Sequence, residues 1–306
     1  MPRVSVIIPT YNQARFIPST INSVLGQTYK DFEVIIVNDS STDDTLKQLE
    51  QFGSKVTVIG QEHSERAVAR NNGVKHSSGE YLAFVDSDDI WKPNKLEEQV
   101  QILDQNRDCI LTYSASERVG SNGHKAKTAK RQTKGSSGHV FEKLLYRNFI
   151  VSATPMVRRN HFEDTNGFKT RYVPYEDWEL WLRLSVLGEF YFLPNPLAYY
   201  RIHPQQTVKA LKAEKIEEVT TSILEDSFKL QDIATSIRMK ALGLANLRFC
   251  YWYLLANDID KANEKIRKAR EIYPNFLADP RWYGLWTLCK FPQLIGKGIF
   301  NLKQYH

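Results

Sequence analysis

Val4-Ser5-Val6-Ile7-Ile8-Pro9-Thr10-Tyr11-Asn12 opens the chain with a β-branched apolar run that stops abruptly at a polar rim. A run apolar at nearly every position, rather than at every second one, fits a strand buried on both faces of a parallel sheet. Working outward, Phe32 to Val37 repeats the pattern and ends in Asn38-Asp39-Ser40-Ser41-Thr42-Asp43. Val56 to Ile59 reads as a third strand and Tyr81 to Val85 as a fourth, closed by Asp86-Ser87-Asp88-Asp89. Between them lie helical patterns: Ile17, Ile21, Val24 and Leu25 on one face, then Leu46 with Leu49, then Ala67 to Lys75. Strand alternating with helix at this spacing predicts a doubly wound α/β domain. Ligands of such sheets bind outside the carboxyl ends of the strands, where Thr10-Tyr11-Asn12, Asn38-Asp39 and Asp86-Asp88 fall.

The later chain changes character. From Val119 to His139 it is dominated by Gly, Ser, Lys and Arg, including Lys125, Lys127, Lys130, Arg131 and Lys134, which predicts a mobile basic loop. A helix at Val140 to Tyr146, a strand at Thr154 to Val157, a helix at Trp178 to Leu187 and two short strands at Phe190 to Leu193 and Leu197 to Arg201 follow. Beyond about Pro204, Glu214 to Leu230, Ile233 to Leu255 and Ile259 to Tyr273 read as helices, and Ala241 to Pro274 resembles one tetratricopeptide-type hairpin. The predicted organisation is a catalytic domain over 1–204 and an all-helical extension over 205–306. Trp282 to Tyr305 mixes Trp282, Tyr283, Trp286, Phe291 and Phe300 with lysines, a composition that suits either an interfacial amphipathic segment or a helix docked on its own domain.

Composition sets outer limits. The 306 residues are 42% hydrophobic and 25% charged, which excludes wholesale disorder, and the net charge of +6 suits an anionic partner. Cys109, Cys250 and Cys289 are far apart and in no metal-binding spacing, as expected of reduced thiols in a cytoplasmic protein. The apolar run Val4 to Ile8 is too short for a signal-peptide core or a membrane span. Asn38-Asp39-Ser40 matches a glycosylation pattern that has no meaning without secretion.

Asp86, Ser87, Asp88 and Asp89 crowd at least two carboxylates at one strand end, which is costly unless a cation neutralises them. Oxygen donors favour a hard divalent ion, Mg²⁺ or Mn²⁺, shared with phosphate. Asp89, ahead of a helical pattern from Asn94, is the better candidate for a helix cap. Asp39 can accept from a ligand N–H, and Tyr11 offers an aromatic face at the same rim, a combination that favours uracil.

Taken in order, Val4 to Asn12, Val37 to Asp43, Ala69-Arg70-Asn71-Asn72-Gly73 and Phe84 to Asp89 resemble the inverting family 2 glycosyltransferases of GT-A fold, over roughly the first two hundred residues. That fold is a mixed, mainly parallel sheet flanked by helices. The resemblance implies that Pro9, Tyr11 and Asp39 hold uracil and ribose, with Asn12 and Ser87 beside them at the nucleotide. It implies that Arg70 faces the nucleotide or diphosphate, Asp86 contacts ribose or metal, and Asp88 binds Mn²⁺ or Mg²⁺. Tyr175-Glu176-Asp177-Trp178 resembles the family's catalytic segment, which implies Asp177 as general base and Glu176 as a supporting acceptor contact. Tyr200-Arg201-Ile202-His203 resembles its Arg-x-His element, with His203 at the metal and Arg201 against the leaving group. His63, His124, His139 and His161 lack paired spacing and read as surface or loop residues.

The implied reaction moves a sugar from a UDP-sugar to a hydroxyl of a glycan, glycolipid or other acceptor. It points to polysaccharide or envelope glycan synthesis in the cytoplasm, with peripheral contact to an anionic membrane. A haloacid-dehalogenase-type phosphohydrolase also places Asp-x-Asp after a strand, but early in the chain and before Gly-Thr. A sugar-nucleotide pyrophosphorylase needs a Gly-rich basic loop that the first strand lacks. A silent nucleotide-binding scaffold acting through the helical tail is the alternative from another class. Nothing beyond charge speaks for nucleic acid.

Overall fold

The structure is a computed structural model that describes residues 1–123, 134–203, 212–278 and 280–291. Residues 124–133 of the predicted basic loop and the part of the Trp282 to Tyr305 segment beyond Phe291 lie outside the described residues. The chain divides into two units, one of residues 1–144 with 148–206 and one of residues 145–147 with 207–306.

The first unit is built on an eight-stranded sheet. In chain order its elements are β1 (Val4–Thr10), α1 (Ile17–Leu25), β2 (Phe32–Asn38), α2 (Thr45–Glu50), β3 (Thr57–Gly60), α3 (Arg66–Lys75), β4 (Tyr81–Phe84), β5 (Ile90–Trp91), α4 (Lys95–Gln105), β6 (Cys109–Gly120), α5 (Phe141–Tyr146), β7 (Met156–Arg158), α6 (Arg159–Asp164), α7 (Glu176–Leu184) and β8 (Glu189–Ile202). The strand order is β3-β2-β1-β4-β7-β6-β8-β5. β1 pairs in parallel with β2 and β4, and β6 in parallel with β8, while β7 and β5 run antiparallel to their neighbours. This is the mixed, mainly parallel sheet that the sequence led us to expect.

β1 shows why the apolar run is continuous. Val4, Val6 and Ile8 pack with Ile17, Ile21 and Val24 of α1 and with Leu96, Val100 and Leu103 of α4. Ile7 faces the other way, toward α3, where Gly73 lets helix and sheet close up; a Cβ there would lie 2.6 Å from Ile7 Cγ2. Both faces of the strand are therefore covered. The chain runs outward from β1 to β2 and β3, then returns to β4 on the other side of β1. That reversal opens a crevice at the carboxyl ends of β1 and β4.

Three expectations change. β6, twelve residues long, was not anticipated. The two short strands around Pro194 and Pro196 are one strand, β8, which keeps parallel pairing with β6 through register shifts at Ser114–Ser116. Asp89 caps no helix: β5 intervenes, and α4 begins at Lys95 after Asn94.

The second unit contains α8 (Ala213–Ser227), α9 (Thr235–Leu255), α10 (Ile259–Ile272) and α11 (Pro280–Lys290). α9 and α10 form the anticipated hairpin. Asn257, with φ of 61°, takes the left-handed turn between them, and Asp258 caps α10 by accepting from the Lys261 N–H at 3.0 Å. No helix among the described residues is long and apolar enough to cross a membrane.

Candidate active site

The site is assembled at the carboxyl ends of β1, β2 and β4, with α7 and the end of β8 adding the remaining side chains. Beyond β1, Pro9 lies buried within the strand, and the chain turns at Asn12 in the left-handed region, which asparagine tolerates well. Asn12 Oδ1 accepts the Thr42 N–H at 2.7 Å, and its own N–H donates to Ser41 Oγ at 3.0 Å. Asn12 thus ties the rim of β1 to that of β2. Tyr11 is left exposed at 41%.

Asp39 follows β2 and is 5% exposed. Its Oδ1 accepts from Gln61 Nε2 at 2.7 Å and from the Ser64 N–H at 2.8 Å. Its Oδ2 lies 3.0 Å from His63 Nδ1, and the His63 ring stacks on Tyr11 with centroids 4.2 Å apart. His63, read from sequence as a plain surface residue, therefore joins the two side chains singled out for base recognition.

The acidic cluster separates into three environments. Asp86 Oδ1 accepts from Arg70 at 2.6 Å and Oδ2 from Ser152 Oγ at 2.8 Å. Burial pushes its carboxyl up, but Arg70 and Arg66 outweigh that and hold it below the ordinary value. Ser87 is buried, and its carbonyl accepts from Thr20 Oγ1 at 2.9 Å. Asp88 Oδ2 lies 2.8 Å from His203 Nε2. Burial, then the charge of Asp86, raise the Asp88 carboxyl. Asp89 is fully buried and accepts the Arg201 N–H at 2.9 Å; burial followed by its acidic neighbours pushes it well up. It is a strand-to-strand tie rather than a cap.

Arg201 is also turned inward, at 4% exposure. Its guanidinium donates to the Asp88 carbonyl at 2.6 Å, to Ser19 Oγ at 2.9 Å and to the Ser121 carbonyl at 3.2 Å, and lies over the Phe16 ring. The arrangement ties Arg201 to the Asp88 backbone.

Arg70 likewise faces protein. It reaches Glu176 Oε1 at 2.6 Å as well as Asp86, and Arg66 Nε lies 2.6 Å from the same Glu176 oxygen. Glu176 is 1% exposed and held by both arginines. Burial alone would raise it; Arg66 and Arg70 bring it below the ordinary value. Asp177, next in the chain, has no arginine bonded to its carboxylate among the described residues. Burial first, and the Glu176 charge second, raise its carboxyl to about 6. Its Oδ1 accepts the Trp178 N–H at 2.7 Å, and Asn148 Nδ2 stands 3.4 Å from Oδ2. Arg66, Ser152 and Asn148 were missed by the sequence reading. A hint existed for Arg66, because like charges at i and i+4 on α3 repel unless a carboxylate lies between them.

Asp88 Oδ2 and His203 Nε2, 2.8 Å apart, are the carboxylate oxygen and imidazole nitrogen that could be offered to a divalent cation. Among the described residues no three His, Cys, Asp or Glu side chains gather in metal-binding geometry. The pair fits an ion whose other positions are filled by phosphate and water, and its imidazole suits Mn²⁺ better than Mg²⁺.

The sequence profile described as glycosyl transferase family 2 matches residues 5–165. A putative teichuronic acid biosynthesis glycosyltransferase, TuaG of Bacillus subtilis, is 40% identical over 208 residues, covering 66% of this chain and 79% of its own. The Escherichia coli UDP-Glc:alpha-D-GlcNAc-diphosphoundecaprenol beta-1,3-glucosyltransferase WfgD is 35% identical over 183 residues, covering 59% and 69%. Among glycosyltransferases of Rickettsia the chain spans from 35% to 74% of the relative's length. In structure it is similar to Staphylococcus aureus TarS, with a TM-score of 0.57 at 21% identity over 89% of this chain and 91% of that one. The matched sequence, the sheet and the strand-end constellation agree: the chain belongs to glycosyl transferase family 2 and has the GT-A-type fold.

Proposed function

We propose that the protein transfers a hexosyl group from a UDP-sugar to an acceptor hydroxyl with inversion, in the synthesis of an envelope glycan. The observation that carries this reading is the division of labour between Glu176 and Asp177. Two arginines occupy Glu176, which leaves Asp177 as a carboxyl of raised proton affinity at the start of α7. A base tuned toward neutral pH is what proton removal from a sugar hydroxyl requires.

Tyr11 supplies a stacking face and Asp39 an acceptor for the imide N–H of uracil. Asp177 takes the acceptor proton as the acceptor oxygen attacks the anomeric carbon and the bond to UDP breaks. A single displacement of this kind inverts the anomeric centre. Mn²⁺ or Mg²⁺ held by Asp88 and His203 would supply positive charge against the diphosphate. Arg201 acts through Asp88, whose carbonyl it holds, and Arg70 acts through Asp86 and Glu176. WfgD is named for a UDP-sugar and a lipid-linked diphosphate acceptor, and TuaG for a wall polymer; both names support the same chemistry here.

A lipid-linked acceptor accords with α11. Tyr283 and Trp286 of α11 and Phe291, just past its end, are exposed at 49%, 41% and 50%, and Lys290 is exposed beside them. From Arg281 to His306 the sequence contains four Lys or Arg and no Asp or Glu. Aromatic and basic side chains without acidic ones suit the surface of an anionic membrane.

The test of the transferase reading measures UDP released from a panel of UDP-sugars with a lipid-diphosphate acceptor, alongside melting with UDP and Mn²⁺. Release of UDP together with Mn²⁺-dependent stabilisation is expected. No response to any nucleotide would favour a silent scaffold.

A further inference from the structure

At the rim of β1 and β2, one side chain of the protein already lies against both groups proposed to hold a uracil. Tyr11 offers its ring, and His63 lies on it, 4.2 Å between centroids and 28° between planes. Asp39 Oδ1 is committed to Gln61 Nε2 and the Ser64 N–H, so Oδ2 is the oxygen left for a ligand; His63 Nδ1 stands 3.0 Å from it and 3.2 Å from the Asp39 carbonyl oxygen. An imidazole is a flat heterocycle with a ring N–H, so lying on Tyr11 and beside Asp39 Oδ2 it fills the place a pyrimidine imide would take.

We propose that His63 is a placeholder for the donor's base, occupying the uracil position until a nucleotide displaces it. The proposal rests on the donor reading above and adds to it a residue that sets donor affinity. The side chain is suited to the role. It is 57% exposed, and it sits in the segment between β3 and α3, outside both elements. Its departure uncovers Tyr11 and Asp39 Oδ2 without touching Gln61 or Ser64, which keep the carboxylate oriented. A site populated by its own side chain binds ligand more weakly by the fraction of time it stands open.

The test compares uridine and UDP binding by calorimetry to the full chain and to His63→Ala, with melting temperatures as a check on folding. The expected result is tighter binding to the variant by about three- to tenfold, in keeping with the loss of one competing ring contact. The gain should be equal for uridine and UDP, since it arises at the base. Unchanged affinity overturns the proposal. Weaker binding overturns it too, since it means His63 adds to the bound state. If UDP binds neither protein, the donor-site reading itself fails, and this proposal with it.

Discussion

Arg70 holds Asp86, past the end of β4, and Glu176, at the start of α7, through two contacts of 2.6 Å each. One buried guanidinium thus sets the distance between the strand-end carboxylates and the segment that carries Asp177. With Arg66 it also decides which of two adjacent acids is neutralised. Glu176 is paired with both arginines, and the carboxyl of Asp177 is raised.

Replacing Arg70 by Ala should leave Asp86 and Glu176 without their shared partner. Unpaired buried charge of this kind costs about 3–5 kcal/mol, read as a fall in melting temperature. Arg70→Lys keeps the charge but lacks the fork that reaches both carboxylates, so it should fold and still lose turnover.

Asp177→Asn should retain UDP binding and lose about 10²- to 10⁴-fold in transfer rate. Wild-type transfer should fall as pH drops through about 6, where the Asp177 carboxyl takes up its proton. The stability effect has the opposite sign. A carboxyl raised in the folded state disfavours folding once ionised, so Asp177→Asn should raise the melting temperature above pH 6 and have no such effect below pH about 4. A flat rate profile across this range would refute the assignment.

Asp88→Ala should abolish the added stabilisation that Mn²⁺ gives with UDP. His203→Ala should weaken Mn²⁺ by about tenfold or more, the equivalent of about 1.4 kcal/mol for one lost donor. Titrating Mn²⁺ at fixed UDP checks both, and equal Mn²⁺ dependence in wild type and variants would remove the pair from the metal site.

Lys95 gives a stability signature separate from catalysis. It is fully buried, its Nζ donates to Gln99 Oε1 and lies 4.0 Å from the Trp91 ring centroid, and burial pushes the amine well below its ordinary value. The unfolded chain therefore binds a proton that the folded one does not. Stability should climb by about 1.4 kcal/mol per pH unit between the folded-state value and about 10.4, and be lost as pH falls. Denaturant melts of Lys95→Met should lack this slope.

Serine at Tyr283, Trp286 and Phe291 together should reduce sedimentation with phosphatidylglycerol vesicles by about tenfold or more, given the apolar area removed. Neutral phosphatidylcholine vesicles should bind weakly throughout. Undiminished binding of the triple variant to the anionic vesicles would move the contact elsewhere.

How far the sequence could be read depended on what each element buries. β1, β2 and β4 were legible because burial on both faces leaves apolar side chains at nearly every position. β6 hid because its buried positions include Thr112, Ser114 and Ser116, whose hydroxyls blur any apolar pattern. Pro194 and Pro196 divided β8 on paper, whereas register shifts in β6 absorb the irregularity. The candidate side chains were found as residue types, but their direction was not visible. Glu176 and Arg70 turn inward because each has a buried partner far away in sequence. His63 carried no motif; its signal was topological, since β3 lies beside β2 and the segment after it must pass Asp39.

Arg201 and His203 lie two positions apart near the end of β8, and their partners Asp88 and Asp89 are neighbours in the chain. Four contacting groups are thus spaced by covalent geometry alone, like the jaws of a caliper. Substitutions at the rim leave that gauge intact. Inserting one residue between Arg201 and His203 resets it, because it turns the imidazole to the opposite side of the extended chain. Length between these two positions should therefore have little freedom to drift.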